Sequence, residues 1–122
     1  MFKRTLLAMS FHFENVRKAI HAMLNDVVEQ GFKHSLEFPN DSESAQKIIE
    51  NANTSLTDII NSARKDNMMS NVEIKQEAFR RTIQQAEKTS LQLLSELQLM
   101  RRSQMMTRHK LTKSDLVKRQ HS

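Results

Sequence analysis

Residues 72–104 read VEIKQEAFRRTIQQAEKTSLQLLSELQLMRRSQ, and their spacing decides the fold. Val72, Gln76, Phe79, Ile83, Ala86, Ser90, Leu93, Leu97, Met100 and Gln104 alternate steps of four and three, which brings them to one face of an α-helix. No Gly or Pro interrupts the run. Ser70 and Glu73 match the S-x-x-E capping box, so the helix is expected to start near Asn71 and to persist to about His109. At 1.5 Å per residue it is roughly 60 Å long.

The same rhythm recurs twice upstream. Leu6, Met9, Phe13, Val16, Ile20, Met23 and Val27 predict a helix over about 4–30, and Ala45, Ile49, Ala52, Leu56, Ile59 and Ala63 predict another over about 43–66. Ile48 and Ile60 widen the second stripe, and its alanines allow close approach of a neighbour. Gly31 is expected to stop the first helix, and the stretch from Gly31 to Asn40, which includes Pro39, to form the connecting loop. Asn40, Asp41 or Ser42 is placed to cap the second helix, and Asp66 to Met69 read as a short turn.

Gly31 and Pro39 are the sole residues of their kinds in 122 positions. So few turn formers, with few aromatics, exclude β-rich architectures and any chemistry built on a glycine-rich loop. The fold class is therefore all-α: an elongated, antiparallel, coiled-coil-like three-helix bundle over 1–110. Its third helix is long enough to protrude, and self-association is expected to complete it. Residues 111–122 form a basic tail.

The third helix carries more apolar surface than one seam uses. With Leu93 at zero, Leu91, Leu94 and Met105 fall about 100–160° away, and Leu99 and Met106 fall on the other flank. A lone three-helix bundle of this size cannot cover both sides, so Leu91, Leu94, Leu99, Met105 and Met106 are the candidate partner-binding residues. Leu7 and Phe11 also point away from the main stripe of the first helix. The concentration of Met68, Met69, Met100, Met105 and Met106 suits an adaptable surface.

Formal net charge is +5, yet residues 101–122 alone carry +6. Arg101, Arg102, Arg108, Lys110, Lys113, Lys118 and Arg119 are the candidate nucleic-acid contacts, since clustered cations neutralise phosphates and release counterions. No aromatic residue interleaves them to stack bases, and cations at a helix C-terminus are favoured by the macrodipole without any ligand. Leu111, Leu116 and Val117 would allow the same segment to meet an anionic membrane surface.

Catalysis finds no support. The five histidines are scattered, the nearest metal-like pair is His34 with Glu37, and no Cys supplies a thiolate, so neither a cofactor nor a metal is expected. No run reaches the roughly 20 apolar residues of a membrane span. A mitochondrial presequence competes for the first residues, because no acid precedes Glu14. The expectation is a non-enzymatic, cytoplasmic protein–protein interaction module such as an adaptor, chaperone or regulator. The alternative is a nuclear or mitochondrial nucleic-acid binder displaying a basic arm on an oligomeric scaffold.

Overall fold

A computed structural model describes the backbone of residues 12–121 and the side chains of 12–109. Three helices pack on one another in all pairings: α1 (Phe13–Glu37), α2 (Ser42–Asn67) and α3 (Val72–His121). A 3-10 turn, Pro39–Asp41, joins the first two. The described residues contain no strand.

The seams seen in the sequence are in the main the buried faces. On α2 these are Ala45, Ile48, Ile49, Ala52, Ile59, Ile60 and Ala63, and on α3 Phe79, Ala86, Ser90, Leu93 and Leu97. Val72, named as the first member of the α3 seam, is instead 68% exposed, and the buried stripe of that helix starts at Phe79, where α1 and α2 begin to cover it. One apolar cluster joins Val16, Ile20 and Leu24 to Ile59, Ile60, Ala63, Phe79 and Ala86. A second joins Val27 to Ile48, Ala52, Leu93 and Leu97. Each fully buried Val, Leu or Ile contributes about 1.5–3 kcal/mol of transfer free energy, so these two layers supply most of the drive to fold. Within α1 the buried residue is Leu24 rather than Met23, which is half-buried beside it. Likewise Thr82 is buried where the seam named Ile83. Thr82 stays satisfied by donating to the Asp66 carboxylate at 2.6 Å, which ties the end of α2 to α3.

Gly31 does not stop α1. The helix continues to Glu37, so the predicted loop from Gly31 to Asn40 shrinks to Phe38 and the 3-10 turn. Gly31 is buried in mid-helix, and a Cβ built on it would lie 2.6 Å from Ile49 Cγ1 and 3.0 Å from Ile49 Cδ1. The missing side chain makes room for α2; it does not provide an unusual backbone angle. Past it the stripe resumes as Val27, Gly31, His34 and Phe38, all buried. Nor does α1 run unbroken from near residue 4: it starts at Phe13, with the preceding His12 in extended conformation as its N-cap. Leu7 and Phe11 lie outside the described residues.

Two caps also differ from expectation. Asp41 sits at the N-cap position of α2 but makes no side-chain cap bond; its backbone is not in the extended conformation of a usual N-cap, and its Oδ2 accepts from His34 instead. Asn71, not Ser70, caps α3, with Oδ1 accepting from the Ile74 N–H at 3.0 Å. Helices α2 and α3 are separate, as the turn signal implied, though α2 continues through Asp66 and Asn67 and the break falls at Met68–Asn71 rather than at Asp66–Met69. α3 runs twelve residues beyond the expected end at His109. At the other end of the bundle Glu14 accepts from Arg17 at 2.9 Å in the first turn of α1. That hydrogen bond, and then the guanidinium charge, hold its carboxyl below the usual carboxylate range.

Candidate functional site

α3 buries one stripe against α1 and α2 and leaves a second uncovered. Leu91 (58%), Leu99 (61%), Met105 (47%) and Met106 (62%) are exposed. At about 100° per residue they fall within an arc of roughly 120° centred opposite Leu93. Leu94, expected among them, is half-buried instead and packs on the cluster of Val27, Ile48 and Leu97. Its position some 100° from Leu93 leaves it on the flank that α1 covers. With Leu97 it forms the floor of an open groove of about 370 Å³ between α1 and α3, rimmed by Asp26, Gln30, Lys33, Gln98 and Arg101.

The C-terminal end of α1 is fastened to α3 by a contact that sequence reasoning missed. Arg108 donates to the Glu37 backbone carbonyl at 3.0 Å, and its guanidinium lies 4.3 Å from the centre of the buried Phe38 ring. Arg101 pairs with the Glu37 carboxylate and sits 5.9 Å over the same ring. On the inner side His34, only 5% exposed, donates from Nε2 to Asp41 at 2.9 Å and tilts against Phe38 with ring centres 5.0 Å apart. The cations thus meet the negative end of the α1 macrodipole and an orphan carbonyl of its last turn. They also meet the electron-rich face of an aromatic ring. A readable signal was present: Phe38 follows His34 by four and Gly31 by seven, which continues the α1 seam through the glycine.

This arrangement redistributes the candidate cations. Arg101 and Arg108 are engaged by α1, Arg102 is exposed, and Lys110, Lys113, Lys118 and Arg119 fall on α3 beyond the described side chains. The metal-like pair of His34 and Glu37 is not assembled, because His34 faces Asp41 and Glu37 faces Arg101. Among the described residues no three His, Asp or Glu side chains converge as metal ligands. No described helix is long and apolar enough to cross a membrane. His21, next to the buried Ile20, is exposed. Compared with protein-family models, with curated proteins and with solved structures, the chain matches none.

Proposed function

We propose that this chain is a non-enzymatic helical interaction module. It engages a protein partner or a second copy of itself through the outward face of α3. The observation that carries the reading is the pairing of an inner stripe buried from Phe79 to Leu97 with Leu91, Leu99, Met105 and Met106 left in solvent on the same helix. Large apolar side chains gathered on one exposed face are characteristic of association surfaces, and packing helix on helix is the mode this geometry favours. Flexible Met105 and Met106 adapt such a face to the contour of what covers it. The nucleic-acid alternative is weaker, because two of its seven cations, Arg101 and Arg108, already hold the end of α1.

The test is the double variant Leu91→Asp/Leu99→Asp, both positions being exposed and outside the two apolar clusters. Light scattering on the natural chain is expected to give a multiple of 14.2 kDa, or a pull-down a specific protein, with either lost in the variant while circular dichroism keeps its helicity. A natural chain that is monomeric and captures nothing, or a variant that associates unchanged, would overturn the reading. Leu94 is unsuitable for this purpose, since a charge there strikes the core.

A further inference from the structure

A second exposed apolar surface lies at the end of the bundle where α1 begins. Phe13, Ala63 and Phe79 pack in one cluster, so the start of α1, the end of α2 and the start of α3 meet there. The tip is the α2–α3 turn: Met68 stands almost wholly in solvent, Val72 and Ile74 are more than half exposed, and Met69 lies beside them. Val72 and Ile74 are two residues apart on α3, about 200° around the helix, so they emerge on opposite sides of it. A partner helix laid along one face covers one of them and leaves the other in water. A soft medium that the tip enters covers both.

The charges of this end say which medium. Residues 12–18 and 64–81 carry seven Lys and Arg against four Asp and Glu, an excess of three cations. Three of the four acids are engaged within the chain: Glu14 holds Arg17, Glu77 holds Arg80 and Arg81, and Asp66 accepts from Thr82. The fourth, Glu73, stands in the first turn of α3, where the helix dipole offsets its charge. Exposed Arg64 and Lys65 precede Met68, and Lys75 follows Val72, so cations frame the apolar tip on both helices. Two helix N-termini and one C-terminus meet here, which adds to the positive potential. We propose that the α2–α3 turn docks on an anionic lipid surface. Met68, Met69, Val72 and Ile74 enter the boundary between headgroups and acyl chains, and Arg64, Lys65 and Lys75 rest among the lipid phosphates. Binding to such a surface grows with the apolar area buried and with attraction to anionic lipid, and the tip supplies both. The attachment is peripheral. Leu91 lies about 25 Å along α3 from Ile74, so the outward face of that helix stays free for its own partner.

The chain has no cysteine, so in the full chain Met68→Cys takes a single environment-sensitive fluorophore without background. Leu36→Cys, exposed in the last turn of α1 at the other end of the bundle, carries the reference. Vesicles of phosphatidylcholine mixed with phosphatidylserine are expected to shift the Met68→Cys probe to the blue and to leave the Leu36→Cys probe unchanged; vesicles of phosphatidylcholine alone are expected to shift neither. In co-sedimentation of the unlabelled chain, each cation near an anionic surface strengthens binding about fivefold, so Arg64→Gln/Lys65→Gln is expected to lower the partition coefficient roughly thirtyfold. Met68→Ser/Val72→Ser is expected to lower it about tenfold. All four positions are exposed, and circular dichroism checks that both variants keep their helicity. No binding, binding that leaves the Met68→Cys probe in water, or binding that neither double variant weakens overturns the proposal. So does a blue shift that appears on concentrating the chain without lipid, which assigns the tip to a second copy.

Discussion

At the scale of single residues, Gly31 is the position where sequence habit and packing part company. Glycine after an apolar helical run usually marks a C-terminus, because it adopts left-handed backbone cheaply. Here its φ is not positive, and what matters is the space it leaves for Ile49. The consequence is measurable. Alanine is the better helix former by about 1 kcal/mol, yet Gly31→Ala should lower stability by about 1–2 kcal/mol, because its Cβ collides with a β-branched side chain held in the core. In an Ile49→Ala background the collision is gone, and the same substitution should raise stability by roughly 0.5–1 kcal/mol. Urea unfolding of the four proteins in this cycle checks it; a loss of equal size in both backgrounds would remove the close-packing explanation. His34 belongs with Gly31. Its step of three from Gly31 put it on the buried face from the outset, where it is satisfied by Asp41. The spacing of three between His34 and Glu37 is only local, and the actual partner, Asp41, lies on the far side of the turn.

Helix interiors were legible in the sequence and helix ends were not, for a physical reason. An interior position is decided by a repeating pattern with many members, as in the seven buried residues of α2. One misplaced member, such as Met23 in α1, therefore changes little. An end is decided by one or two hydrogen bonds that several neighbours can make. At α3, Ser70 and Asn71 are adjacent and both are good caps; the structure uses Asn71. Asn71→Ala should therefore cost about 1 kcal/mol of stability, in the usual range for a lost N-cap, and Ser70→Ala close to nothing. Thermal unfolding of the two single variants separates these outcomes, and the opposite ranking would restore the capping box centred on Ser70. At α2 the cap-type residue Asp41 accepts from the buried His34 instead, a tertiary contact that no local motif encodes. The outward face of α3 was largely legible: Leu91, Leu99, Met105 and Met106 are exposed as the angular arithmetic required. Leu94 lay on the boundary between flank and core, where counting degrees cannot say which neighbour covers it.

The whole molecule is governed by a mismatch of lengths. α1 and α2 have 25 and 26 residues and α3 has 50, so they span about 38, 39 and 75 Å. Arg108 is the last described α3 residue that reaches α1, through the Glu37 carbonyl and the Phe38 ring. Thirteen residues of α3 follow it, or about 20 Å of helix. The apolar seam fades after Gln104, which is why periodicity placed the end near His109. Helix formation there does not depend on the seam, since Leu111, Lys113, Leu116, Lys118, Arg119 and Gln120 are intrinsically good helix formers and no Gly or Pro intervenes. A continuous α3 therefore predicts a maximum dimension of about 75–80 Å for a single chain in small-angle scattering, against about 60 Å if α3 ends near His109. The measurement belongs on the Leu91→Asp/Leu99→Asp variant at a concentration where its mass is that of one chain, so that length is not confused with association. A value near 60 Å would mean that the Arg108 contact marks the true end of the helix, and the basic residues beyond it would then be carried on a chain free to fold back rather than on a rigid arm.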